Sequence, residues 1–222
     1  MKLTKRIEKV IEKLDGNSIL DLGCVDEFTG DKNSSWDILI NSKYWLHGHL
    51  RNTKKIVYGV DILESQINNL KKIGFENLYV QDVNNLELNR KFDYIIAGEL
   101  IEHITNFEAF FNGVKNHLEQ NGKLIITTPY VHSLAYVLYS WFKYPKTNHN
   151  FDHTVGFCPS TLGTMANKND FEIISIDLIP DYPPIFDGLG WKILYFLIRV
   201  FGSIFPKRII CNDMVVVLKP NR

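Results

Sequence analysis

The chain has 222 residues, 45% hydrophobic and 23% charged, the usage of a folded core, which excludes a disordered polymer. Twenty-five Lys+Arg balance 25 Asp+Glu, so no net positive field marks a dedicated nucleic-acid binder. Cys24, Cys158 and Cys211 are scattered without a CxxC pair, which argues against a disulfide framework or thiolate zinc site and for the reducing cytoplasm. The N-terminal stretch MKLTKRIEKVIEKLDGN lacks the apolar run of a signal peptide, and nothing reaches the roughly 18 apolar residues of a membrane span. One domain over 1–222 is expected.

In chain order, residues 4–14 place Ile7, Val10, Ile11 and Leu14 on one face, the period of an amphipathic helix, and Asp15-Gly16-Asn17 ends it. Short apolar runs follow at 18–22 (SILDL), 55–60 (KIVYGV), 78–80 (LYV), 92–97 (FDYIIA) and 123–127 (KLIIT). Helical patterns separate them at about 36–52, 63–73 and 105–118. Strands without in–out alternation are buried on both faces. The pattern predicts an α/β fold, a doubly wound, mostly parallel sheet covered by helices.

Beyond residue 128 the alternation changes. An aromatic helical stretch at 130–144 precedes the polar run KTNHNFDH, a helix near 159–168 and a strand at 171–179. An aromatic, partly basic segment at 185–209 leads to a last strand at 213–219. Two late strands joined by a long excursion predict an antiparallel strand inserted at the edge of the parallel sheet. Residues 18–128 form the expected ligand-binding core and 129–222 the substrate-side elaboration.

Open α/β sheets bind ligands at the carboxyl ends of their strands, where strand order reverses. Those ends carry Asp21-Leu22-Gly23-Cys24, Asp61, Asp82 and Gly98-Glu99. A dinucleotide loop would read GxGxxG, but Val25 and Phe28 stand where the later glycines belong, and no GKS or GKT marks a P-loop. An ionised carboxylate at Asp61 suits two ribose hydroxyls, and one at Asp82 suits an adenine amino group. Asp21 and the Gly23 turn would meet the charged tail of an amino acid. Ribose, adenine and a cationic methionine moiety without phosphate describe S-adenosylmethionine.

The segments ILDLGC (19–24), VYGVDI (57–62), VQDV (80–83), FDYIIAGELIEHI (92–104), NGKLIITTPY (121–130) and DHTVGFCPSTL (152–162) occur in one order over residues 18–180. In that order the chain resembles the class I S-adenosylmethionine-dependent methyltransferases, of the group containing the type 11 and ubiquinone-pathway enzymes. The resemblance implies a Rossmann-like seven-stranded sheet whose last strand is antiparallel. It places Asp21, Gly23 and Cys24 at the methionine end, Asp61 and Ile62 at the ribose and adenine, Asp82 and Val83 at the adenine, and Ala97, Gly98 and Glu99 on the far wall. The family loop reads GxGxG, whereas this chain has Gly23-Cys24-Val25-Asp26-Glu27. That loss motivates a second reading, a non-catalytic binding or scaffold module. Trp45-Leu46-His47-Gly48-His49 also resembles a subgroup found among glycan-assembly enzymes, so a sugar hydroxyl is the first acceptor expected, within a wider class of small molecules.

On a helix starting near Gly98, Glu99, Glu102 and His103 fall at i, i+3 and i+4 and share a face. Two carboxylates and an imidazole can hold a divalent cation, and some relatives carry a Glu-x-x-Glu-His metal site. No metal is assigned; were one held, Glu99, Glu102, His103 and His153 are the expected ligands, with His149 in reserve. That alternative is a metal-assisted O-methyltransferase acting on a catechol-like or ribose hydroxyl. His103 and Glu102 are the expected catalytic residues, and Cys24 a small apolar residue beneath the cofactor. The apolar run at 191–205, charged only at Lys192 and Arg199, is too short to span a bilayer. It is read as a buried or dimer-forming helix, with peripheral membrane contact as the alternative.

Overall fold

The computed structural model describes residues 3–25, 42–143, 153–180, 193, 196, 197, 200 and 206–221. Helix α1 (Lys5–Glu12) begins at Thr4, whose hydroxyl accepts from the Ile7 amide at 3.3 Å, and buries Ile7 and Val10. Seven strands follow: β1 (Ser18–Leu22), β2 (Ile56–Asp61), β3 (Leu78–Val80), β4 (Phe92–Gly98), β5 (Leu118–Pro129), β6 (Phe171–Ile179) and β7 (Asp213–Pro220). Between them lie α2 (Leu46–Arg51), α3 (Glu64–Lys72), α4 (Phe107–His117), α5 (Leu134–Lys143) and α6 (Pro159–Lys168).

The strands hydrogen-bond in the order β3-β2-β1-β4-β5-β7-β6. All neighbours pair in parallel except β7, which runs antiparallel to both β5 and β6. The last strand in sequence is thus the antiparallel one, inserted as expected beside β5 at the edge of the parallel strands, and β6 pairs outside it. The pairing to β7 also explains why β5 outruns its expected 123–127: Thr127, Thr128 and Pro129 face Val215, Met214 and Asp213.

The alternation along each strand sends side chains to two cores. Ile19, Val57, Tyr94, Ile96, Ile125, Val215 and Val217 pack with Ile7 and Val10 of α1 and Leu46 and Leu50 of α2. Leu20, Val60, Ile95, Ala97, Leu124, Ile126 and Val216 pack on the other face with Phe110, Phe111 and Val114 of α4 and Leu162 and Ala166 of α6. Both faces are covered, which is why the strands read as unbroken apolar runs. The strand starts are tied together as well, since Asp93 Oδ2 accepts from the amides of Asn17 and Ser18 at 2.8 and 2.9 Å.

Order reverses between β1 and β4, so the loops after those strands flank the crevice. They touch, since a Cβ on Gly23 would lie 3.3 Å from the Leu100 side chain.

Candidate active site

The acids expected at the strand ends all lie on this carboxyl edge, in three different settings. Asp21 is 2% exposed, and its Oδ2 lies 3.0 Å from His47 Nδ1. Burial pushes its carboxyl up, opposed by the His47 hydrogen bond and charge. Asp61 closes β2; its Oδ2 accepts from the Val25 amide at 2.9 Å and its Oδ1 from the Leu63 amide at 3.1 Å. Burial raises this carboxyl too, with the same amides pulling it back. Asp82 is exposed and caps the short turn Val83–Asn85, accepting from the Asn84 backbone and side-chain amides at 2.9 Å. Val83 is buried beneath it, and Ile62 is 66% exposed beside Asp61.

After β1 the chain turns at Gly23 (φ 71°), and the Gly23 and Cys24 amides donate to the Val60 carbonyl at 2.8 and 3.1 Å. Cys24 is 1% exposed, and burial together with Asp21 and Asp61 pushes its thiol well up. Cys24 thus packs as a small apolar side chain.

After β4 the predicted helical face does not form. Ala97 is buried and Gly98 ends the strand, but Glu99 takes φ 50°, which reverses the chain. Only a single 3₁₀ turn, Ile101–His103, follows. Thr127 holds the reversal: its carbonyl and hydroxyl accept from the Glu99 amide at 2.9 and 3.1 Å, and the hydroxyl donates to Glu99 Oε1 at 2.8 Å. Arg6 adds its guanidinium to the same threonine at 3.2 Å. Glu99 is thereby turned toward Thr127 and Arg6, whereas Glu102 points into the protein.

Glu102 is 2% exposed, and its Oε2 accepts from the Thr128 hydroxyl at 3.0 Å. Its Oε1 is buried with no hydrogen-bond partner, 4.0 Å from His153 Nε2. Burial, then the neighbouring Glu99 charge, pushes this carboxyl well above the usual range. One ligand-type atom from each of Glu102, His103 and His153 lies within 4.8 Å of the others, and the two imidazoles meet edge to face at 4.7 Å. Glu99 stands outside this group of three, and His149 lies outside the described residues.

Sequence reasoning missed what brings His153 there. Thr154 donates from its backbone to the Glu102 carbonyl at 2.8 Å and from its hydroxyl to the Glu102 and Ile104 carbonyls at 3.0 and 3.1 Å. It missed Tyr136 on α5 as well, a phenol that burial and the charges of Asp213, Glu99 and Glu102 push upward. An aromatic-rich helix gave no signal of which ring would face the acids. His132 is exposed, its ring 5.9 Å from that of Tyr130.

Most of the apolar run at 191–205 lies outside the described residues. Ile193, Phe196, Leu197 and Val200 are described, at helical spacing, and are 51%, 64%, 41% and 51% exposed. Among the described residues no helix is long and apolar enough to cross a membrane.

This sheet order, with a crevice between β1 and β4, is the architecture of the class I S-adenosylmethionine-dependent methyltransferases. A solved S-adenosylmethionine-dependent methyltransferase from Archaeoglobus fulgidus superimposes with a TM-score of 0.62 at 16% identity, covering 96% of this chain and 91% of that one. The chain belongs to the methyltransferase-domain family, whose profile matches residues 2–176. It is 31% identical over 128 residues to a ubiquinone biosynthesis O-methyltransferase from Rickettsia akari (strain Hartford), 53% of this chain and 50% of the relative. It is 32% identical over 116 residues to a pavine N-methyltransferase from Thalictrum flavum subsp. glaucum, 50% of this chain and 29% of the relative. The match to the O-methyltransferase thus spans about half of that relative's length.

Proposed function

We propose that this protein is a cytoplasmic enzyme that transfers a methyl group from S-adenosylmethionine to a hydroxyl of a small molecule. The observation that carries the reading is Asp61 at the end of β2. Each of its oxygens already accepts one backbone N–H, which fixes the carboxylate and leaves further lone pairs for two vicinal ribose hydroxyls. The apolar face of Ile62 lies open beside it for a purine ring. In this assignment Asp82 and Val83 take the adenine edge, Gly23 and Cys24 the methionine end, and Ala97, Gly98 and Glu99 the opposite wall.

When bound, the cofactor would supply an electrophilic methyl group on a sulfonium. The protein's part is alignment, exclusion of water and proton removal. His103, at the crevice, takes the hydroxyl proton. Glu102 adjoins it, a carboxyl that burial and the Glu99 charge push well above the usual range. Sugar hydroxyls of a surface glycan are the first acceptors to try; the O-methyltransferase relative supports a hydroxyl and the pavine relative makes an amine the competing outcome. The glycan suggestion stems from the 45–49 segment, which in the fold packs on the loop after β1.

Calorimetric titration with S-adenosylhomocysteine tests the reading. Micromolar binding that weakens at least tenfold in Asp61→Ala is expected, worth about 1.4 kcal/mol. No binding at millimolar ligand would leave the scaffold reading in its place.

A metal-assisted variant of the reaction has its own support in the unpartnered Glu102 Oε1 and the two imidazoles beside it. Glu102, His103 and His153 would hold the cation, which would orient and acidify the acceptor hydroxyl. Full turnover in excess chelator would end that variant.

A further inference from the structure

Trp45-Leu46-His47-Gly48 has no part in the chemistry above, yet Trp45 and His47 are 2% and 0% exposed, pressed against the loop that follows β1. Trp45 Nε1 donates to the Cys24 carbonyl at 2.9 Å. His47 Nδ1 meets the Asp21 carboxylate at 3.0 Å. From the opposite side, the end of β2 takes the loop's amides: Gly23 and Cys24 donate to Val60, and Val25 to Asp61. The loop is gripped between β2 and the strap that opens α2.

The strap is built for this contact. A Cβ on Gly48 would come within 2.4 Å of the Trp45 ring, so glycine there lets the indole fold back over its own helix. The indole packs with Cys24, Val25, Ile67, Leu70 and Leu78 in a small apolar cluster separate from the two main cores. His47 Nε2 is buried with no hydrogen-bond partner, a desolvation cost the fold carries for the bond that Nδ1 makes.

A GxGxG loop takes its shape from residues without side chains, whereas here Val25 and Glu27 fill the second and third glycine places. We infer that Trp45 and His47 are positioning residues that stand in for those glycines, holding the Asp21–Val25 loop in the shape that receives the methionine end of the cofactor. The inference rests on the methyltransferase reading and adds to it two side chains that act only through the loop. Trp45 acts by fixing the Cys24 carbonyl, His47 by fixing the Asp21 carboxylate.

Two measurements test it on the full chain. Amide hydrogen exchange over Gly23–Val25 in the cofactor-free protein reads the loop itself, and calorimetry with S-adenosylhomocysteine reads its use. Trp45→Phe keeps most of the ring contacts and removes the N–H; His47→Ala removes the donor to Asp21; His47→Asn keeps a donor near the Nδ1 position. Expected are faster loop exchange and about tenfold weaker binding in Trp45→Phe and His47→Ala, with His47→Asn recovering most of the affinity. If His47→Ala fails to fold, Trp45→Phe and His47→Asn carry the test. Unchanged loop exchange overturns the clamp whatever the cofactor does. Faster exchange with unchanged affinity reduces the pair to fold support and overturns the positioning role. Faster exchange in a protein whose wild type binds no S-adenosylhomocysteine sinks the methyltransferase reading instead, and the cofactor half of the inference with it.

Discussion

Replacing Gly59 by alanine is the sharpest probe of the packing behind the site. Gly59 lies in β2, opposite Asp21 on β1 and Leu78 on β3. An added methyl would sit 2.6 Å from Leu78 Cδ2, 2.7 Å from Cys24 Sγ and 2.8 Å from His47 Cε1. These three side chains are 2%, 1% and 0% exposed, so none can swing into solvent, and relief requires the strand or the loop to move. Overpacking of a tight core costs about 1–3 kcal/mol, and three simultaneous overlaps put this case near the top of that range. Alanine's smaller unfolded-state entropy offsets about 0.5–1 kcal/mol, leaving a net loss of about 2 kcal/mol. At about 2–4 °C per kcal/mol for a chain of this size, Tm should fall by roughly 4–8 °C. Urea denaturation should show the same loss as a lower midpoint at unchanged slope. Adding Cys24→Ala, which removes one of the three obstacles, should recover part of the loss, a coupling that a double-mutant cycle measures. A Gly59→Ala protein as stable as the wild type would refute the reasoning.

Other outcomes are as definite. Glu102 keeps its proton in the folded state above the pH at which the unfolded chain loses it, so wild-type stability falls as pH rises from the ordinary glutamate value, about 4.3, toward the raised one. Glu102→Gln should remove that slope and gain roughly 1 kcal/mol near pH 7 in chelator; parallel Tm-against-pH curves for the two proteins would contradict it. Asp93 is the opposite case: its bonds to Ser18 and Asn17 pull its carboxyl down, so its contribution is present above the ordinary aspartate value, about 3.9, and is lost as pH falls through the lowered one. Asp93→Ala should cost about 1 kcal/mol at pH 7, solvent screening included, with the difference closing in acid as urea midpoints are followed downward. Phe111 is fully buried, with the Phe110 and Phe171 rings both at 5.2 Å, and Phe111→Ala should cost about 3–5 kcal/mol; a loss below 1 kcal/mol by equilibrium unfolding would mean this layer is not tightly packed.

Much of the sheet was legible because its strands are buried on both faces. Ile19-Leu20 or Ile95-Ile96 admits no solvent side, and Gly23 and Asp61 mark where such runs stop. Local patterns also found α1 and α4, the latter capped by Asn106 accepting from the Ala109 amide at 3.1 Å. The helix expected at about 36–52 is seen only as Leu46–Arg51 among the described residues, because Trp45 leaves the helical path to reach Cys24. The helical reading of 99–103 failed for a reason no periodicity carries. Thr127, on the neighbouring strand, fixes Glu99 in the left-handed region, and that contact spans 28 residues. The acids of the site were readable because strand ends are readable. Their partners were not: Asp21 finds His47 from 26 residues away, and Glu102 meets His153 where Thr154 ties that segment to the Glu102 carbonyl.

The place of β7 has a consequence for how the protein is made. Leu124, Ile125 and Ile126 on β5 await partners roughly ninety residues downstream, Leu218, Val217 and Val216, and at 5–20 residues per second a ribosome takes several seconds to deliver them. Through that interval β5 presents a bare apolar flank in the middle of the future sheet, a surface that invites chaperones and seeds aggregation. β6 is synthesised earlier but has no strand to join until β7 arrives. A stop or a protease cut just after Asn212 would therefore remove all eight residues of β7 and with them the pairings of both β5 and β6 on that side.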